Sequence, residues 1–235
     1  KATHPKWVAF FLCLLAIDLK LMKKIISIFL LVYSYSIANA ASVDTINIFS
    51  NSMQKDIKCV VIKPSNYKKK KLRFATVYLL HGYDGWYGNW ILKVPELKQY
   101  ADEFGLIIVC PDGGKAGWYF DSPIDTKNQY ETYIAKEVPR YIDSVYKTIA
   151  SKDKRAITGL SMGGHGALFL SFRHPEIFTA AGSMSGVVDL SEVKNKYQLQ
   201  ELIGDTLQQP ENWKKYSVLN VVETKSAPRA IIVDD

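Results

Sequence analysis

The stretch from Arg155 to Phe172 constrains the fold more than any other. A short apolar run, Arg155–Thr158, leads into Gly159-Leu160-Ser161-Met162-Gly163-Gly164-His165-Gly166. Small and apolar residues at helical spacing follow over Met162–Phe172. The order is strand, tight turn and helix, with a serine at the centre of Gly-x-Ser-x-Gly. The pentapeptide alone says little, because Gly and Ser are common; its setting gives it weight. Such a turn holds Ser161 in a strained backbone conformation at the carboxyl end of a strand. Glycine at 159 and 163 leaves room where a Cβ would meet neighbouring backbone. The following helix points its positive amino terminus at the serine, and the Met162 N–H is free to donate to a developing oxyanion.

The rest of the chain supplies strands and helices in alternation. Val43–Phe49 alternates apolar and polar residues, as a half-buried strand does. Ile57–Ile62, Phe74–Leu80 and Leu106–Cys110 are nearly continuous apolar runs, which suits strands covered on both faces. Phe178–Met184 and Ala230–Val233 are shorter candidates. Helical patterns run over Trp90–Phe104 and Tyr130–Ile149. Strands alternating with helices imply right-handed crossovers and a mostly parallel sheet. The first two strands are expected to pair antiparallel at its edge, with the lysine run Lys68–Lys71 as a solvated hairpin turn. No repeat or linker interrupts the pattern, so one domain over residues 41–235 is the simplest organisation.

Charge and cysteines exclude other classes. The chain has 235 residues and a formal net charge of +7. Residues 1–40 carry five Lys and one Asp, which leaves only +3 on the remainder. That is no nucleic-acid footprint, which would concentrate charge on a folded face. Met22 opens a basic, then apolar, then small-residue sequence ending Ala38-Asn39-Ala40, the pattern of a signal peptide over residues 22–40. Residues 1–21 are then an upstream, non-structural segment. An uncleaved anchor is the rival, but neither apolar run reaches the ~20 residues that span a bilayer. Export would permit a disulfide between Cys59 and Cys110; buried free thiols are the alternative. No cysteine or histidine spacing suggests a metal.

The second informative piece is Leu79-Leu80-His81-Gly82-Tyr83-Asp84-Gly85, directly after the third strand. Gly82 allows a close approach, and the Tyr83 N–H is the candidate second oxyanion donor. His81 precedes the glycine and is expected to orient this loop rather than act as a base. His165 lies four residues past Ser161 on the helix and is expected to point away from the site. His174, in Arg173-His174-Pro175, is expected to cap that helix.

Together with Pro111-Asp112-Gly113-Gly114, Trp118-Tyr119, Asp121-Ser122-Pro123 and Ser183-Met184-Ser185-Gly186, these motifs resemble one esterase family of α/β-hydrolases. It includes tributyrin esterases, S-formylglutathione hydrolases, feruloyl and acetyl-xylan esterases, and mycolyltransferases. The resemblance runs from about Ile57 to the last residue. It implies an α/β-hydrolase fold, a mostly parallel central sheet with helices on both faces, incomplete at the C-terminal end. It implies a serine carboxylic-ester hydrolase working through an acyl-enzyme on short-chain or polysaccharide-linked esters, without a cofactor. Ser161 would be the nucleophile, with Met162 and Tyr83 giving the backbone oxyanion hole. Gly82, Trp118 and Tyr119 would contact substrate, the two aromatics as a wall.

One departure stands beside the match. Triad order in this fold is serine, acid, histidine. The strand that precedes the acid corresponds to Ala230–Val233, so Asp234 and Asp235 fall slightly before the expected position. The histidines are His4, His81, His165 and His174, and none follows Ser161 at the family's distance. The chain is therefore expected to be part of a longer reading frame and, as written, to lack hydrolytic activity. Two alternatives stand: an acyltransferase on the same scaffold, and a non-catalytic protein that binds carbohydrate by stacking sugars on Trp86, Trp90, Trp118 and Tyr119.

Overall fold

A computed structural model describes residue 19 and residues 21–27, 41–224 and 227–234. The chain divides into Lys1–Ala40 and Ala41–Asp235. In the first unit residues 21–27 are helical. The expected signal peptide, Met22–Ala40, lies mostly outside the described residues, as do His4, Cys13 and Asp235. No helix among the described residues is long and apolar enough to cross a membrane.

Ala41–Asp235 is built on one seven-stranded sheet. Its strands are β1 (Ser42–Ser50), β2 (Lys55–Lys63), β3 (Ala75–Leu80), β4 (Leu106–Pro111), β5 (Arg155–Leu160), β6 (Ala180–Met184) and β7 (Ala230–Asp234), ordered β1-β2-β4-β3-β5-β6-β7. β1, β2 and β4 pair antiparallel; every other neighbouring pair is parallel. The antiparallel edge pair is as expected, but the lysine run does not join it. Residues 51–54 turn between β1 and β2, while Lys68–Lys71 lies on the path from β2 to β3, strands separated by β4. A connection that passes over another strand cannot be a hairpin turn. Register also settles the thiols. Cys59 pairs with Pro111 and Val60 with Cys110. Side chains alternate across a strand, so Cys59 and Cys110 enter cores on opposite faces. Both are free and buried.

Each face has its own core. One holds Ile48, Val61, Tyr78, Leu80 and Ile157 beneath the helices Val138–Val145, Met162–Arg173 and Pro210–Tyr216. The other packs Val60, Ile62, Leu79 and Ile108 against Leu97 and Ala101 of the helix Leu97–Glu103. The helix expected over Trp90–Phe104 is two, Asn89–Lys93 and Leu97–Glu103. Pro95 forces the break, because the residue before a proline avoids helical backbone, and Val94 sits at φ −132°, ψ 71°. The expected Tyr130–Ile149 helix includes a π-helical stretch, Tyr133–Glu137, and ends at Val145. Pro139 has no N–H to return to the preceding turn. At the far edge, all five residues of β7 are exposed.

Candidate active site

Ser161 sits at φ 54°, ψ −116° between β5 and the helix Met162–Arg173. A non-glycine residue held there is under strain, and such strain gathers at functional sites. Three contacts fix the turn. The Ser161 N–H donates to the Met184 carbonyl at 2.8 Å, and the Ser161 carbonyl accepts from His165 N–H at 2.9 Å. A Cβ on Gly159 would press on the backbone of Gly163 at 2.5 Å. One on Gly163 would fall onto the Leu80 carbonyl. Only glycine permits strand, turn and helix to close this tightly. Every residue from Met162 to Phe172 is buried. The Met162 N–H, in the first turn, has no carbonyl four residues back within the helix.

The loop after β3 lies against this serine. A Cβ on Gly82 would stand 3.3 Å from the Leu160 carbonyl oxygen and 3.6 Å from Ser161 Cβ. Gly85 N–H donates to Gly82 O at 3.1 Å and Asp84 N–H to Lys115 O at 2.8 Å. The Tyr83 N–H is the amide between them that neither bond uses. His81, 2% exposed, orients this loop. Its Nδ1 donates to Gly82 O at 2.9 Å, and its Nε2 accepts from Gly113 N–H at 2.8 Å. Both ring nitrogens are therefore taken. Burial alone would raise the Asp112 carboxyl; the His81 ring nearby and the N–H groups of Gly114 and Tyr87 outweigh it and hold the carboxyl below its usual range.

Trp118 and Tyr119 do not form a wall open to solvent. They are 1% and 0% exposed, in two consecutive left-handed conformations at φ 52° and 59°. Trp118 Nε1 donates to Tyr197 O at 3.1 Å, and the Tyr119 hydroxyl to His81 O at 2.9 Å. They correct the expected substrate contact: packing and hydrogen bonding commit both to holding loops in place. Trp86, by contrast, is 43% exposed.

The histidines are also engaged. His165 is fully buried, its Nδ1 donating to Val187 O at 2.9 Å. The His174 N–H closes the helix on Leu170 O, and its ring meets Glu131 at 2.8 Å and Glu176 at 3.3 Å. Asp234 ends β7, opposite Met184 in register. Among the described residues, no cluster suited to a metal ion occurs.

Two recesses adjoin the His81–Gly85 loop. One, of about 220 Å³, is lined by His81, Gly82, Asn89, Trp90, Lys93, Val94 and Leu160. The other, of about 300 Å³, is polar and includes Lys55, Lys115, Asp125 and Glu201. It also includes Gln198, which accepts from the Tyr83 hydroxyl at 3.4 Å. Sequence reasoning passed over Val94 and Leu160. The available signals were Pro95, which turns Val94 out of the helix, and the position of Leu160 directly before Ser161.

Comparison with known proteins bears on the fold and the family. An S-formylglutathione hydrolase from Agrobacterium tumefaciens superimposes with a TM-score of 0.71 at 22% identity, covering 82% of this chain and 74% of that one. A ferulic acid esterase gives 0.62 at 30% identity, covering 76% and 71%. Among curated proteins, an esterase of Mycobacterium tuberculosis is 31% identical over 133 residues, 55% of this chain and 29% of its own. A diacylglycerol acyltransferase/mycolyltransferase of Mycobacterium bovis is 28% identical over 172 residues, 69% of this chain and 48% of its own. The chain thus spans less than half the length of these two curated relatives. The family model described as "Putative esterase" matches residues 50–232, and the chain belongs to this esterase family of α/β-hydrolases.

Proposed function

We propose that the chain carries the nucleophile and oxyanion hole of a serine carboxylic-ester hydrolase. The observation that carries this is Ser161 at φ 54°, ψ −116° with Gly82 packed against it. Ser161 Oγ attacks the ester carbonyl carbon and gives up its proton to a base. The carbonyl oxygen, now negative, takes hydrogen bonds from the Met162 and Tyr83 N–H groups. The carbon–oxygen bond to the alcohol breaks, the alcohol leaves with the proton, and water releases the acid from the acyl-enzyme. Both ring nitrogens of His81 are taken, His174 lies against Glu131 and Glu176, and the buried His165 donates through Nδ1 to Val187 O. Gly82 contributes close approach; Trp118 and Tyr119 act through the loops they hold.

The test is hydrolysis of p-nitrophenyl butyrate by the complete gene product. Ser161→Ala is expected to lower kcat/KM by at least ~10³-fold; turnover that survives the substitution overturns the reading.

A second reading draws on the polar recess beside Tyr83. An alcohol seated there would replace water and make the same acyl-enzyme a transferase. Product analysis with an added sugar acceptor separates the two, since only transfer yields an acylated sugar. The signal-peptide pattern supports export, and N-terminal sequencing of the exported protein is expected to begin at Ala41; retention of Met22 would refute cleavage there.

A further inference from the structure

We propose that the apolar recess between the His81–Tyr83 loop and Leu160 is the acyl pocket of Ser161. It takes a short aliphatic acyl group and excludes bulky or long ones. The inference rests on Ser161 as nucleophile and deepens that reading.

Position is the first argument. Leu160 immediately precedes Ser161, and Gly82 immediately precedes Tyr83. Both line the recess, and a Cβ on Gly82 would stand 3.6 Å from Ser161 Cβ, so the recess is bounded by the residues that flank Ser161 and Tyr83. An acyl group bonded to Ser161 Oγ, with its oxygen on the Met162 and Tyr83 amides, has its tail within reach of the recess.

Chemistry is the second. Trp90, Val94 and Leu160 give the recess an apolar lining, whereas the polar recess near Gln198 holds Lys55, Lys115, Asp125 and Glu201. An alkyl tail in the polar recess would strip water from charges, which is costly. In the apolar one, each buried methylene is expected to raise kcat/KM about fourfold.

Size is the third. The volume is about 220 Å³, below the ~300–1,000 Å³ that accepts a drug-sized ligand. At ~30 Å³ for each water-sized group, it holds about seven such groups. A butyryl to hexanoyl tail fits; a feruloyl group, bulkier and rigid, overfills it. The walls are fixed. Trp90 Nε1 is pinned to Leu80 O at 3.0 Å, and Pro95 holds Val94 out of helical backbone.

The experiment measures p-nitrophenyl esters from acetate to dodecanoate, together with a feruloyl ester, using the complete gene product. The expected result is a rise in kcat/KM from acetate to butyrate or hexanoate, then a fall. Feruloyl turnover should be at least tenfold below butyrate. Val94→Trp fills the recess and is expected to lower the butyrate-to-acetate ratio about tenfold. Val94→Gly should move the optimum to longer chains. Ratios unchanged in both variants, with turnover still dependent on Ser161, overturn the pocket and leave the nucleophile standing. Turnover that survives Ser161→Ala overturns the nucleophile instead. A binding arm needs no turnover: NMR titration of the 235-residue chain with hexanoate should shift the Trp90 indole signal, and Val94→Trp should weaken the affinity at least tenfold. Equal affinity in the two proteins overturns the pocket.

Discussion

β5 and β7 lie one strand apart in the parallel part of the sheet and are packed in opposite ways. β5 has a neighbour on each side, a buried helix springing from its end and Ser161 at its tip. Among the described residues, β7 pairs with β6 alone. Ile231, Ile232 and Val233 are 41%, 72% and 59% exposed. A trough of about 380 Å³ runs across β5, β6 and β7 past Thr158, Gly182, Ile232 and Asp234. The Ser161 turn is thus fixed between two neighbouring strands and a buried helix. The last strand is held by its backbone ladder. Strain at φ 54° is kept only where the surroundings over-determine it, and β7 offers no such surroundings.

Substitutions can break that contrast. The largest effect is expected for Gly163→Val, which drives side-chain atoms onto the Leu80 and His81 carbonyls. A loss of about 4 kcal/mol or more, or failure to fold, is expected in thermal unfolding. Next comes acid. Burial pushes the His165 imidazole down to about 4 from an ordinary 6.5, so the unfolded chain takes up this proton before the folded one does. Stability from this residue is complete above pH 6.5 and is lost as pH falls from there to about 4. That loss is worth about 3 kcal/mol at ~1.4 kcal/mol per unit. Denaturant melts at pH 7, 5.5 and 4.5 measure it, and His165→Gln should flatten the slope; an identical slope in that variant would remove His165 as the cause. The smallest effect is expected at the open edge, where Ile232→Thr should change stability by no more than about 0.5 kcal/mol. Amides of β7 should also exchange with deuterium well before those of β5. A cost at Ile232 comparable to that at Gly163 would erase the contrast.

The strands were legible because their signal is local: alternation marks Val43–Phe49, and an apolar run bounded by charge, Pro or Gly marks each of the other six to within a few residues. The turn at Ser161 was legible for the same reason, since its glycines and following small residues are adjacent in sequence. The connection through Lys68–Lys71 was misread. Composition marks a loop but says nothing about which strands it joins, and β4, which separates β2 from β3, comes later in the chain. Trp118 and Tyr119 were read as a substrate wall because aromatics near a catalytic motif look alike whether exposed or buried. Their burial depends on partners far away in sequence, Tyr197 and His81. The recess of Trp90, Val94 and Leu160 needed two segments some seventy residues apart to be placed together.

The Tyr119 ring fills the space between Gly113 and Gly166 so closely that a Cβ on either would collide with it. Three positions therefore share one volume. None can drift alone: an alanine at 113 or 166 demands a smaller neighbour at 119, and a smaller neighbour releases the hydroxyl that holds the His81 carbonyl. Evolution along this lineage is expected to keep glycine, tyrosine and glycine as a set or to replace them together, so the three should covary across relatives even though fifty-three residues separate the first from the last.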